Sequence, residues 1–131
     1  MFNFFKKDKK KKEEIIEQEL SAQEKEELEN KIKQKLHNIN ETSEQEEKAK
    51  SYEEMGLLQA ELGDIDEAIA SLEKSLDLEL SIGNGYKKLM SLYNQKRAEA
   101  AKMGSDEGIE FYMNKMDEMR QIAKKMTISG Q

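Results

Sequence analysis

His37 is the single histidine of a 131-residue chain that contains no cysteine. Metal sites built on thiolates, and Ser-His or Cys-His nucleophile pairs, are therefore short of parts. His37 falls near a helix end among polar residues, where an imidazole favours the helix dipole without binding anything. Carboxylates are abundant, with 28 Asp and Glu against 22 Lys and Arg. They fall in polar runs with lysine within or beside them, as in Glu24 to Glu29 and Glu44 to Glu47, a pattern that marks solvated helix faces and not paired acid and base groups. The Gly83-Asn84-Gly85 run lacks the Lys and Ser/Thr of a phosphate-binding loop. No metal, cofactor or catalytic residue is expected, and the chain reads as no enzyme.

The elements that carry these residues read as helices. With 38% charged and 36% hydrophobic residues and mean hydropathy −0.95, the core must be thin. That suits an all-α array in which each helix buries one stripe. Residues 13–40 form a charged amphipathic helix, with Ser21 and Glu24 spaced as a capping box. Its apolar stripe of Leu28, Ile32, Leu36 and Ile39 either packs on the helices after it or makes a coiled-coil strand. Residues 37–43 read as a loop, and Ser43 with Glu46 as a second capping box. A helix to Leu62, a turn at Gly63-Asp64 and a helix from Ile65 to Ser81 come next. Asp64 and Glu67 are spaced as a third box, and Gly83-Asn84-Gly85 reads as the stop. Met103-Gly104-Ser105 makes a like turn, with Ser105 as N-cap of a last helix over residues 106–127.

Tyr52, Met55-Gly56, Gln59, Ala68, Leu72, Ser75 and Leu80 fall at the intervals of a tetratricopeptide repeat, which the stretch resembles. Gln59 and Leu80 depart from the residues preferred there. Small Gly56 and Ala68 would let two helix backbones approach. Tyr52, Met55 and Leu58 recur as Tyr86, Leu89 and Leu92, each 34 residues on. Glu67-Ala68-Ile69 recurs 40 residues on as Glu107-Gly108-Ile109, which predicts a first helix about six residues longer in the second unit. The resemblance divides residues 43–127 into repeats at 43–82 and 84–127. It implies a protein or peptide partner laid on the first helices, against Lys50, Glu53, Leu57 and Glu61, then Lys87, Ser91, Asn94 and Gln95. Glu53 and Leu57 stand where the family's carboxylate-clamping pattern would need other residues. Members also occur as peptide- or small-molecule-responsive regulators in bacterial signalling, a second function class. Two repeats bury little, so either the 13–40 helix supplies a further layer or two chains associate through the last helix. That helix carries a methionine-rich stripe with Met113, Met116 and Met119.

Residues 1–12 are a tail of another kind. Phe2, Phe4 and Phe5 precede Lys6, Lys7, Lys9, Lys10, Lys11 and Lys12, giving this stretch +5 in a chain of net charge −6. An apolar plug with a polybasic run is a recipe for reversible contact with an anionic membrane, and the bland alternative is a solvated tail. The acidic remainder argues against a nucleic-acid surface. No apolar run reaches membrane-spanning length, and the expected location is the cytoplasm, with peripheral contact at the inner membrane face as the further reading.

Overall fold

The computed structural model describes residues 19–129, in which five helices and no strand occur. They are α1 (Ala22–Glu41), α2 (Gln45–Leu62), α3 (Ile65–Leu78), α4 (Asn84–Lys102) and α5 (Asp106–Ser129). No helix among these residues is long and apolar enough to cross a membrane.

Local signals set most of the boundaries. Ser21 caps α1, its Oγ accepting from Glu24 N–H while the Glu24 carboxylate accepts from Ser21 N–H, both at 3.0 Å. That holds the Glu24 carboxyl below its usual range, chiefly through the bond from the Ser21 backbone. The helix therefore begins at Ala22, with residues 19–21 outside it; residues 13–18 of the predicted 13–40 helix lie outside the described residues. Gly63 and Gly104 have φ of 90° and 71°, and the same pair of hydrogen bonds closes both turns. Gly63 N–H reaches Ala60 O and Asp64 N–H reaches Gln59 O; Gly104 N–H reaches Ala101 O and Ser105 N–H reaches Ala100 O. This is the glycine closure that satisfies the last carbonyls of a helix. Ser105 Oγ then accepts from Gly108 N–H at 3.1 Å, as an N-cap should.

Other boundaries differ from the sequence expectation. Helix α1 continues through His37 to Glu41, because Ile39 is buried and carries the polar residues around it into one more turn. Ser43 and Glu46 form no capping box. Thr42 replaces them, accepting from Glu44 N–H and donating to Glu47 at 2.7 Å. Asp64 stands at the N-cap of α3 without a side-chain bond. Helix α3 ends at Leu78, before the glycines, and Gly83 precedes α4 while Asn84 and Gly85 belong to it. The first helices of the two hairpins are 18 and 19 residues long. The second is thus not six residues longer. It starts closer to its tyrosine and runs correspondingly further beyond it.

Contacts along α2 and α3 run in opposite order. Ser75 Oγ donates to Ala49 O at 2.7 Å, Gly56 meets Leu72, and Ser71 Oγ donates to Gln59 Oε1 at 2.6 Å. The pair is antiparallel. Tyr86 with Met119 and Ala100 with Gly108 define an antiparallel α4–α5 pair in the same way. At the first crossing a Cβ on Gly56 would lie 2.7 Å from Leu72 Cγ, and at the second a Cβ on Gly108 would lie 2.8 Å from Ala100 Cβ. Close approach of each hairpin therefore needs its glycine.

Helix α1 packs on α2, where Lys35 Nζ meets Glu54 Oε1 at 3.1 Å. Its stripe is only partly used: Leu28 and Ile39 are buried, Ile32 is half-buried and Leu36 is exposed. The main core gathers Ala68, Leu72, Leu89, Leu92, Tyr93 and Met119 where α3, α4 and α5 meet.

Gln59 and Ser71 are buried polar residues that satisfy each other. Ser71→Ala leaves the Gln59 amide oxygen without this donor. We expect a loss of about 1–3 kcal/mol in urea unfolding, the usual cost of stranding a buried polar group.

Candidate partner-binding surfaces

Helices α2 and α4 lie side by side in the same direction, since each is antiparallel to the intervening α3. Ion pairing of Lys96 with Asp66 at 3.0 Å and the bond of Tyr93 to Glu73 fix the α3–α4 side of that arrangement. Between α2 and α4 runs a groove of about 510 Å³, with Leu57, Ala60 and Glu61 on one wall and Lys87, Lys88 and Ser91 on the other. A second groove, about 410 Å³, lies between α1 and α2 and shares Leu57 and Glu61 with the first. Leu57 and Glu61 thus form a ridge between two channels, and the face extends across α1, α2 and α4.

Of the residues carried over from the resemblance, Leu57, Glu61, Lys87 and Ser91 come together on this face. Lys50 and Glu53 line a separate recess whose other walls include Glu46, Glu47, Ser75 and Glu79. Glu53 also ties the two hairpins together, because its Oε2 accepts from Gly85 N–H at 2.9 Å. A carboxylate from the neighbouring hairpin thus meets the N-terminal turn of α4, where unpaired N–H groups favour negative charge. A Cβ on Gly85 would lie 2.6 Å from that oxygen, so glycine leaves room for the carboxylate in this position. Asn94 and Gln95 are exposed and line neither groove, and Asn94 Oδ1 accepts from Arg97 Nε at 3.0 Å. The methionines separate. Met113 is half exposed, Met116 packs against the core, and Met119 is 6% exposed inside it. Met119 is a core residue and not a surface one, because α5 turns that side toward Tyr86 and Leu89. Phe2, Phe4, Phe5 and the lysines from Lys6 to Lys12 lie outside the described residues.

The sequence reading did not anticipate a third groove, on the α3–α4–α5 side. It holds about 220 Å³. The Glu73 carboxylate there accepts from the Tyr93 hydroxyl and lies 3.9 Å from Lys115 Nζ. Lys115 also sits 5.6 Å from the Phe111 ring centre. Tyr86 donates to Met119 O at 2.9 Å.

Burial raises the Tyr93 phenol well above its ordinary value, and the bond to Glu73 and the charges of Glu73 and Glu118 push the same way. An unfolded phenol titrates near about pH 10. The folded state therefore keeps this proton after the unfolded state has lost it. The contribution is whole below about pH 10 and drains away as pH rises toward the folded value. The urea midpoint should fall above about pH 10 in the native chain and fall less in Tyr93→Phe.

Comparison with known proteins returns no matching family, no matching characterised relative and no matching solved structure.

Proposed function

We propose that this chain is a non-enzymatic interaction module of tetratricopeptide type that binds a polypeptide across the α1–α2–α4 face. The observation that carries the proposal is the parallel seating of α2 against α4, through Glu53 and Gly85, with a continuous pair of grooves either side of Leu57. Antiparallel hairpins that repeat with their first helices aligned make an extended surface of the kind such arrays offer to other chains. The absence of an enzymatic role is inferred from the side-chain inventory, in which the one histidine is exposed and lies 3.9 Å from Glu41.

Photo-crosslinking in the native cell tests this. A photoreactive residue at Leu57 or Ser91 should yield discrete polypeptide adducts, and one at exposed Ala70 on α3 should not. Adducts of equal yield at all three positions, or adducts at Ala70 alone, would overturn the assignment of the face.

A further inference from the structure

We propose that the α3–α4–α5 groove is the docking site for this chain's own Phe- and Lys-rich segment, residues 2–12. The inference does not depend on the partner face of α2 and α4.

The groove is apolar within and acidic at its rim. Leu76, Leu89 and Met119 make the floor, while Glu73, Asp77 and Glu118 stand around it against one ammonium, Lys115. Its lip is uncovered, with Leu80 50% exposed. At about 220 Å³ it is smaller than the roughly 300 Å³ at which small-molecule sites begin. It suits a single aromatic side chain inserted from a longer segment.

A ligand complementary to that shape carries an aromatic ring and adjacent positive charge. Residues 2–12 hold three of the chain's four phenylalanines and six lysines. The folded surface of a second copy is a poorer match, because the chain outside this stretch is acidic, like the rim itself. Reach is sufficient. Phe4 lies 15 residues before Glu19, and an extended chain of that length spans about 50 Å. The 20-residue α1 is about 30 Å long. Crossing from α1 to the groove takes about three interhelical steps of roughly 10 Å each, so the diagonal is roughly 40 Å.

Docking there covers the exposed lip and places lysines against Asp77 and Glu118. It also withdraws the phenylalanines from any other surface, a membrane included.

The native chain has no cysteine, so Asn3→Cys in the full-length protein takes a single nitroxide label. Docking predicts broadening of the amide signals of Leu80, Tyr86 and Ile122 that persists on dilution with excess unlabelled chain. The broadening should be lost in the F2A/F4A/F5A chain and reduced in D77K/E118K, whose changes fall on exposed positions. Absence of broadening at the groove would overturn the proposal, as would broadening centred on Leu57 and Ser91. Broadening that disappears on dilution would assign the contact to a second copy instead and overturn the proposal. Label immobilisation only on adding anionic phospholipid vesicles would assign the segment to a membrane.

Discussion

Replacing Gly56 with leucine is expected to lower unfolding free energy by about 3 kcal/mol or more, at or beyond the upper end of ordinary overpacking. The first added carbon alone would sit 2.7 and 2.8 Å from two Leu72 carbons and 3.3 Å from the Ala68 carbonyl oxygen. Leu72 has no exposed surface, so it cannot swing out into solvent. The gain in helix propensity on replacing glycine recovers only about 1 kcal/mol, so the clash wins. Trimming the partner should recover part of the loss. The double variant G56L/L72A exchanges large for small across the same crossing, so its cost should be less than the sum of the two single costs by about 0.5–3 kcal/mol. Urea midpoints at constant slope measure all three. A G56L chain as stable as the native one would mean that α2 and α3 do not cross there.

Leu89→Ala is expected to cost about 2–5 kcal/mol, the range for a buried leucine that leaves a cavity behind. Leu89 is 1% exposed and sits among Ala68, Leu72, Leu92, Tyr93 and Met119, where α3, α4 and α5 converge. Against a total stability of about 5–15 kcal/mol, that is a large fraction. Thermal melting should shift by many degrees. Leu36→Ala is the control: with that side chain 48% exposed on α1, its effect should stay within about 0.5 kcal/mol. Equal effects would place the core elsewhere.

The sequence revealed features whose cause is local. Gly63 and Gly104 announce left-handed closures, Ser21 with Glu24 a capping box, and Ser105 an N-cap; each involves residues within a few positions of one another. Gly56, Ala68 and Gly108 were legible as points of close approach because small residues on an otherwise large-residue face have few other uses. Features needing the third dimension were not legible. Ser43 had the spacing of a cap, yet Thr42 one residue earlier took the acceptor role and Glu47 its hydroxyl. The extension of α1 to Glu41 depends on Ile39 finding cover. The site was read less fully than the fold. Leu57, Glu61, Lys87 and Ser91 converge, but Glu53 is engaged by Gly85, a contact set by the register of one hairpin on the next. The methionine stripe could pack on the preceding helix or meet a partner, and it divides: α4 covers Met119, while Met113 stays exposed.

Among the described residues, each helix packs on its immediate neighbours in the chain, and the longer associations, α2 with α4 and α3 with α5 through Glu73 and Lys115, each skip a single helix. The chain also contains no proline. Assembly therefore closes only short loops, and no slow prolyl isomerisation stands in its path. Such a topology finds its native arrangement quickly and re-forms quickly after a local opening. When reclosing outpaces a protease, survival depends on how seldom the chain opens and not on how slowly it does so. The lifetime of this protein in a protease-rich setting is thus governed by the free energy stored at the Gly56–Leu72 crossing and around Leu89.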